Sequence, residues 1–170
     1  EHIQLAAGAM RLSDLFNGLP EEDLDRLATY LDWMPVRKGQ TVIDEGGISD
    51  FAILVVQGAF EVVKSQGNAQ RLMGIAKAGA VLGEMGLVTD ERRYASCRAV
   101  DGGVVCLLTR EQFDLMRKLD HELHATLLAV LMRQMAGRLR QVTEAIFALK
   151  EKNDIAVESA RRILETSMTA

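Results

Sequence analysis

The sequence has little of the residues that cross-link or interrupt a fold. Its 170 residues include two cysteines and two prolines, and aromatic residues make up 5%. Two cysteines do not make a disulfide framework or a zinc site. Cys97 and Cys106 each lie in an apolar run, where a reduced cysteine behaves as a small hydrophobic residue. We therefore expect both thiols to be buried and free, which favours a cytoplasmic protein.

Long apolar stretches and clusters of positive charge are also missing. No stretch of about eighteen apolar residues is free of charges, so we expect no membrane span. The start, Glu1-His2-Ile3-Gln4, does not resemble a signal peptide, and the absence of an initial Met suggests a chain cut from something longer. The net charge is −4 and no basic run exceeds two residues, which argues against nucleic-acid binding by this chain.

The first part of the sequence, residues 1–34, has helical spacing of its apolar residues. Between Leu12 and Trp33 these residues recur every three or four positions. Pro20 suits the first position of a helix, and the acidic residues that follow it complement the helix dipole. We predict an N-terminal helical segment here.

The second part, residues 35–109, consists of short apolar or alternating runs separated by glycines. Many short runs with glycine turns are typical of a β-sandwich or a jelly-roll barrel. The predicted strands are Gln40–Asp44, Phe51–Gln57, Ala59–Ser65, Arg71–Ala76, Ala80–Leu82, Tyr94–Val100 and Gly103–Leu108.

The third part is helical again. Thr109 and Gln112 form the pattern of a capping box, which predicts one long helix over residues 110–150, and residues 151–170 are expected to form a short helical tail. The apolar residues Leu139, Val142, Ile146 and Leu149 follow at steps of three, four and three, close to a coiled-coil seam. Dimerisation through this helix is our prediction; the alternative is that the stripe packs only on its own domain.

The segment Gly83-Glu84-Met85-Gly86-Leu87 interrupts the strand pattern with a different spacing. Glycines that enter a short helical turn let backbone N–H groups converge on an anion. Arg93 follows and could bind the same anion, while Glu84 could accept a hydrogen bond from a sugar hydroxyl. A phosphate beside a sugar hydroxyl indicates a nucleotide. An ordinary turn with a surface ion pair is the alternative, and the residues alone leave both open.

Together with Arg93, Tyr94, Ala95 and Ser96, this segment resembles the phosphate-binding cassette of the cyclic-nucleotide-binding domain family, of the catabolite-activator type. The resemblance covers about residues 12–150, and several spaced motifs agree with it in order. These are Leu15-Phe16-x-x-Leu19, Glu45-Gly46, Ser49-Asp50 and Ala78-Gly79.

The resemblance implies an α+β fold, a β-roll of jelly-roll type with N-terminal helices and a long C-terminal dimerisation helix. It implies that Arg93 binds the cyclic phosphate with the N–H groups of Gly86, Leu87 and Ala95, and that Glu84 binds the ribose 2′-hydroxyl. The ligand would be cyclic AMP, with cyclic GMP as the second possibility, and no metal. The other implied ligand-binding positions are Gly83, Met85 and Tyr94, with Arg138 and Thr143 of the long helix at the base.

Two features depart from the family. Tyr94 stands directly after the phosphate arginine, where a small residue is common, which affects base selectivity and could narrow the pocket; Arg92 replaces a frequent proline.

No helix-turn-helix fits into the about twenty residues that follow Leu149, because that motif needs two packed helices. The alternatives are therefore a non-binding member that serves as a dimerisation or docking scaffold, and the effector half of a transcription regulator.

The sequence shows no pattern for catalysis or for a metal. His121 and His124 share one helix face, but no third ligand is evident, and no Ser-His-Asp or Cys-His arrangement is found. We therefore do not expect an enzyme. If Arg93 serves the ligand alone, replacing it with alanine should abolish binding and leave the unliganded protein as stable as before.

Overall fold

The computed structural model describes residues 1–168, with side chains for residues 1–162. The chain divides into two units, Glu1–Val130 and a second that begins at Leu131. The first unit begins with helix α1 (His2–Arg11), a 3-10 turn (Asp14–Phe16) and helix α2 (Glu21–Ala28). Pro20 is the residue before α2, and the first turn of α2 is acidic, which stabilises it through the helix dipole. Helix α1 lies within the segment 1–34 that was predicted to be helical.

Eight strands follow as two four-stranded antiparallel sheets, with the orders β1-β8-β3-β6 and β2-β7-β4-β5. The β-roll with helices before and after it is therefore confirmed. The strands are β1 (Asp32–Val36), β2 (Thr41–Ile43), β3 (Phe51–Gln57), β4 (Phe60–Gln66), β5 (Ala69–Ala76), β6 (Val81–Leu82), β7 (Ser96–Ala99) and β8 (Gly103–Thr109).

Strand β1 corrects the prediction that residues 1–34 are helical. Trp33 pairs with Cys106 and Met34 pairs with Val105 of β8. The helical spacing of the apolar residues stops at Leu31, and pairing along a five-residue ladder decides the conformation from Asp32 onward. Tertiary pairing of this kind commonly overrides local preference.

Strand β3 lies at the centre of the first unit. Its residues Ala52 to Val55 are all buried, because alternate side chains of a strand point to opposite faces and both faces are covered. Helix α1 lies against this strand and contributes small buried residues, including Ala6, Ala7 and Ala9. The core between the sheets contains Val36, Ile43, Ile53, Val55, Phe60, Ala76, Cys97, Ala99 and Val105.

Both cysteines are buried and free, as predicted. Burial disfavours the charged thiolate and raises the pKa of Cys97 and of Cys106 to about 11. At neutral pH both thiols are therefore protonated and serve as apolar core residues.

The predicted capping box is confirmed. The Thr109 hydroxyl accepts a hydrogen bond from the Gln112 N–H at 3.1 Å, and the Gln112 side chain accepts one from the Thr109 N–H at 2.8 Å. Helix α3 (Arg110–Leu119) begins at this box.

The prediction of one helix over 110–150 is wrong. The chain leaves the helical conformation at Asp120, with φ −145° and ψ 66°, and helix α4 (His121–Met168) begins directly after it. The Asp120 carboxylate accepts from the Leu123 N–H at 3.2 Å and from Arg26 Nε of α2 at 3.1 Å. This ion pair with a distant helix fixes the break. Helix α4 also continues through the predicted short tail.

Helix α4 contributes to both units. Leu123, Leu127 and Val130 are buried in the first. In the second unit several large apolar side chains are exposed, namely Met132, Leu139, Val142, Ile146, Phe147, Leu149, Ile155 and Val157. None of the helices described here is long and apolar enough to cross a membrane.

Candidate functional site

The segment of residues 83–89, which we call the glycine turn, follows strand β6. Gly83 has φ +71°, a left-handed conformation that glycine adopts without strain. A 3-10 helix, Glu84–Leu87, begins there. The Gly86 N–H, which the family resemblance assigns to the ligand phosphate, donates to the Gly83 carbonyl at 3.0 Å. Glu84, Gly86 and Leu87 are buried, whereas Met85 is exposed.

The glycine turn lies directly against residues 48–51, which we call the carbonyl segment. A Cβ atom added at Gly86 would lie 2.5 Å from the Ser49 hydroxyl and 3.0 Å from the Ser49 carbonyl oxygen. No side chain fits at that distance. Gly86 is therefore required because two backbone segments approach each other closely.

Arg93 is buried, with 6% of its surface exposed. Its Nη1 donates to the Gly83 carbonyl at 3.0 Å, its Nη2 to the Phe51 carbonyl at 2.6 Å, and its Nε to the Ile48 carbonyl at 3.3 Å. The guanidinium also lies 4.4 Å from the centre of the Phe51 ring, in cation–π contact. Arg93 thus connects the glycine turn to the carbonyl segment.

The charge of Arg93 is held in a partly dehydrated position. Burial lowers the pKa of its guanidinium, and the nearby carboxylates of Asp50 and Glu84 oppose that shift. An arginine remains protonated at every physiological pH. The site therefore contains a permanent buried cation with a buried carboxylate close enough to influence it.

The backbone of Arg93 is held by the turn between β2 and β3. The Arg93 N–H donates to the Gly47 carbonyl at 3.1 Å, and its carbonyl accepts from the Gly46 N–H at 2.8 Å. The Glu45 N–H donates to the Ser96 hydroxyl at 2.9 Å. The Glu45-Gly46 motif therefore orients the arginine.

Tyr94 points to solvent, with 72% of its surface exposed. Lys64 Nζ lies 4.3 Å from the centre of its ring and donates to its carbonyl at 2.6 Å. The same ammonium donates to Glu45 Oε1 at 2.6 Å. Lys64 and the Ser65 N–H lower the pKa of the Glu45 carboxyl to about 2. Lys64 thus holds both Tyr94 and the turn that orients Arg93.

Arg110, the first residue of α3, was not among the predicted site residues. Its Nε donates to the Gly86 carbonyl at 3.0 Å, and its Nη2 donates to the Gly86 and Ser49 carbonyls at 2.7 and 3.0 Å. It also binds the Thr89 carbonyl and the Asp90 carboxylate. The capping pattern around Arg110 predicts a helix start; nothing in the sequence shows that its acceptors are carbonyls far along the chain.

The other predicted positions lie elsewhere along the chain. Ala95 is half-buried immediately before β7. Arg138 and Thr143 are exposed residues of α4 in the second unit. The Thr143 hydroxyl donates to the Leu139 carbonyl at 2.8 Å within the same helix.

His124 of α4 has a packing explanation, whereas His121 is exposed. His124 is buried and its ring lies 4.4 Å from the ring of Phe113 in α3. Burial lowers its pKa. Within the described part of the chain, no three His, Cys, Asp or Glu side chains are grouped so that they could hold a metal ion.

The arrangement combines a glycine turn, a buried cation and a buried carboxylate. A profile of the family described as "Cyclic nucleotide-binding domain" matches residues 33–119, which include the β-roll, the glycine turn, Arg93 and Arg110. The chain belongs to the cyclic-nucleotide-binding domain family.

Relatives within this family are named for different cyclic nucleotides and for different kinds of protein. A "Cyclic AMP receptor protein" of Thermus thermophilus is 29% identical over 128 residues, which cover 74% of this chain and 59% of that protein. A "cGMP-dependent protein kinase" of Caenorhabditis elegans is 29% identical over 126 residues, covering 74% of this chain and 16% of the kinase. The chain therefore spans less than two-thirds of the length of these relatives.

Solved structures agree with this assignment. The crystal structure of Thermus thermophilus "Catabolite Activator Protein" has a TM-score of 0.71 and 28% identity, covering 81% of this chain and 63% of that one. The cyclic-nucleotide-binding domain of this chain therefore shares both its fold and part of its sequence with this protein.

The surroundings of Arg93 predict a loss of stability on its removal, contrary to the expectation from sequence. Arg93→Ala removes the guanidinium donor of the Ile48, Phe51 and Gly83 carbonyls, and loss of a hydrogen bond to a charged group costs about 1.5–3 kcal/mol. We expect urea denaturation of the unliganded protein to show at least that loss. The exposed neighbour Arg92 is the matched control, and Arg92→Ala should unfold as the wild type does. Equal stability of wild type and Arg93→Ala would contradict the observed contacts.

Proposed function

We propose that this domain is a regulatory module that binds a cyclic nucleotide, most readily cyclic AMP, at the glycine turn and Arg93. The observation that carries the proposal is the buried guanidinium of Arg93, bonded to the carbonyl of Gly83 at 3.0 Å. It stands at the cassette position of a family whose name describes this binding. A permanent cation of this kind is suited to a phosphate.

The unliganded contacts of Arg93 support an exchange of partners. Its Nε, Nη1 and Nη2 donate to the neutral carbonyl oxygens of Ile48, Gly83 and Phe51. A phosphate oxygen is charged, and charge-assisted hydrogen bonds are about twice as strong as neutral ones. A cyclic phosphate at the turn can therefore attract the guanidinium away from some of its carbonyls, with the N–H groups of Leu87 and Ala95 as further donors.

Glu84 is the proposed partner of the ribose. A carboxylate only accepts hydrogen bonds when it is ionised, so beside a phosphate it suits a hydroxyl donor and not the phosphate itself. Glu84 is buried with 2% of its surface exposed, and its place directly after Gly83 is the place the family resemblance assigns to the 2′-hydroxyl contact. Gly83 and Met85 flank it and complete the proposed binding turn.

Tyr94 favours a ligand that carries adenine over one that carries guanine. A short hydroxyl side chain next to the phosphate arginine could bind the exocyclic amino group of guanine. The Tyr94 hydroxyl is at the far end of an exposed ring that Lys64 holds. We therefore favour cyclic AMP over cyclic GMP. We assign base contacts to Arg138 and Thr143 by resemblance to the family, one of them from a second copy of the chain.

A homodimer through α4 is part of the proposal. Leu139, Val142, Ile146 and Leu149 are exposed by 68%, 55%, 60% and 67%, and such a stripe needs a partner. Their steps of three, four and three are those of a coiled-coil seam, and Asn153 continues the series. An asparagine at this kind of position selects a two-stranded, in-register pair at some cost in stability.

We propose that ligand binding is transmitted through α4 and that this module performs no catalysis. Binding can shift such a helix only if the ligand prefers one of its arrangements. The net charge of −4 supports a module that does not itself bind nucleic acid, and the two free buried thiols are in line with a cytoplasmic location.

The nucleotide proposal predicts saturable binding in calorimetric titration with cyclic AMP, and weaker binding with cyclic GMP. Loss of a hydrogen bond to a charged group costs about 1.5–3 kcal/mol, which is about 10- to 100-fold in affinity. We expect this loss for Glu84→Gln with cyclic AMP, and for the wild type with 2′-deoxy cyclic AMP. Glu84→Gln should show no further loss with the deoxy ligand.

Two results would contradict parts of that proposal. If folded wild type binds neither nucleotide, the domain is a non-binding scaffold of the family. If Glu84→Gln and the deoxy ligand cause fully additive losses, Glu84 does not contact the 2′-hydroxyl. Arg92→Ala is the control for the general effect of charge, and it should bind cyclic AMP within about twofold of the wild type because Arg92 is exposed.

The dimer proposal predicts that Ile146→Lys yields monomers in analytical ultracentrifugation. A lysine in the seam buries charge or breaks the pairing. Phe147→Lys is the matched control, because Phe147 is equally exposed, 65% against 60% for Ile146, but lies outside the seam. If both variants stay dimeric, or if both dissociate, the proposed seam is wrong.

A further inference from the structure

The carbonyl segment is held at every residue by one of two arginines. Arg93 takes the outer carbonyls, those of Ile48 and Phe51, at 3.3 and 2.6 Å. Arg110 takes the two between them: its Nη2 donates to the Ser49 carbonyl at 3.0 Å and its backbone N–H to the Asp50 carbonyl at 2.7 Å. All four consecutive carbonyls thus depend on two residues that are far from them in sequence.

The same two arginines also bind different carbonyls of the glycine turn. Arg93 binds its first carbonyl, that of Gly83, at 3.0 Å. Arg110 binds the Gly86 carbonyl twice, at 3.0 and 2.7 Å, and also the Thr89 carbonyl near the end of the turn. Each arginine therefore bridges the two segments, Arg93 from the start of the glycine turn and Arg110 from its second half.

The two bridges differ in what they can do. Arg93 is the proposed phosphate ligand, so its bonds to carbonyls are exchanged on binding. Arg110 donates from Nε, Nη1 and Nη2 to acceptors in the turn and beside it, and it is the first residue of α3. When Arg93 turns to a phosphate, Arg110 is the bridge that still holds the turn against the carbonyl segment.

We propose that Arg110 is the positioning residue of the nucleotide site, which keeps the glycine turn in its binding shape and ties that shape to the first turn of α3. This inference rests on the proposed function. The spacing at Gly86, where an added Cβ would lie 2.5 Å from the Ser49 hydroxyl, leaves no room for the turn to move closer. Arg110 prevents it from moving away.

The shape of the guanidinium is essential to this role, and its charge alone is not enough. A guanidinium presents a rigid fork of donors, whereas a lysine presents one compact ammonium on a flexible stem. A lysine at position 110 cannot serve Gly86, Ser49 and Thr89 together. A purely electrostatic role, attraction of the ligand phosphate, would instead be preserved by lysine.

The test compares Arg110→Lys and Arg110→Gln with wild type in calorimetric titration with cyclic AMP and in hydrogen exchange without ligand. We expect both variants to weaken cyclic AMP binding by about tenfold or more. We also expect exchange to accelerate in the glycine turn and in residues 48–51, with little change in β3 beyond Phe51, because local opening is limited to the released segments.

Two controls separate positioning from general effects. Arg117→Gln removes an arginine from the same helix that pairs with Asp114 at 3.5 Å and is 61% exposed, and it should bind as wild type does. Asp90→Asn removes the exposed carboxylate partner of Arg110 and leaves the carbonyl contacts, so it should also retain binding.

Three results would overturn the inference. Affinity retained in Arg110→Lys but lost in Arg110→Gln would mean that only charge acts. Unchanged affinity in both variants, even with a lower melting temperature, would mean a purely structural role. Unchanged exchange in the glycine turn would contradict positioning directly. If wild type binds no cyclic nucleotide, the proposed function fails, and the exchange measurement still decides whether Arg110 holds the turn.

Discussion

Four consecutive backbone carbonyls, those of residues 48–51, are stabilised by hydrogen bonds from Arg93 and Arg110. The donors are two guanidinium groups and one backbone N–H. The glycine turn is held against this segment by the same side chains. The position of Arg93, the shape of the glycine turn and the start of α3 therefore all depend on one set of contacts. A change in any one of these three elements therefore alters the contacts of the other two.

Under the proposed function, this arrangement would prepare the site for an anion before a ligand binds. The Arg93 side chain lies between neutral oxygens, and its guanidinium stays protonated. Backbone hydrogen bonds with Gly46 and Gly47 hold the residue in position. The bonds it makes are weaker than those a phosphate would offer, so the arginine is both ordered and available. Because Arg93 also stabilises the fold, we expect a variant at this position to change both stability and the proposed binding. Variants of Glu84 and Arg110 separate these effects better, because the proposed role of Glu84 is a contact with the ribose and that of Arg110 is to hold the glycine turn.

The sequence could predict features whose cause is local. Gly83 and Gly86 reveal a turn, Thr109 and Gln112 reveal a helix start, and the runs around Cys97 and Cys106 reveal buried strands. Features that depend on distant partners were missed. The break at Asp120 depends on Arg26, 94 positions away in sequence, and β1 depends on pairing with β8. Arg110 was missed for the same reason, because backbone carbonyls have no signature in the sequence. For Arg93 the sequence predicts the cation but not its part in the fold.

The roles of Arg93 and Arg110 are tested most directly by nuclear magnetic resonance of the arginine Nε–H groups, recorded with and without cyclic AMP. The Arg93 resonance can be assigned with Arg93→Lys and that of Arg110 with Arg110→Lys. We predict a large shift of the Arg93 Nε–H resonance on saturation, because its bond to the Ile48 carbonyl is exchanged, and a nearly unchanged Arg110 Nε–H resonance. Saturable binding with an unchanged Arg93 resonance, or with the shift at Arg110 instead, would contradict the division of roles between the two arginines.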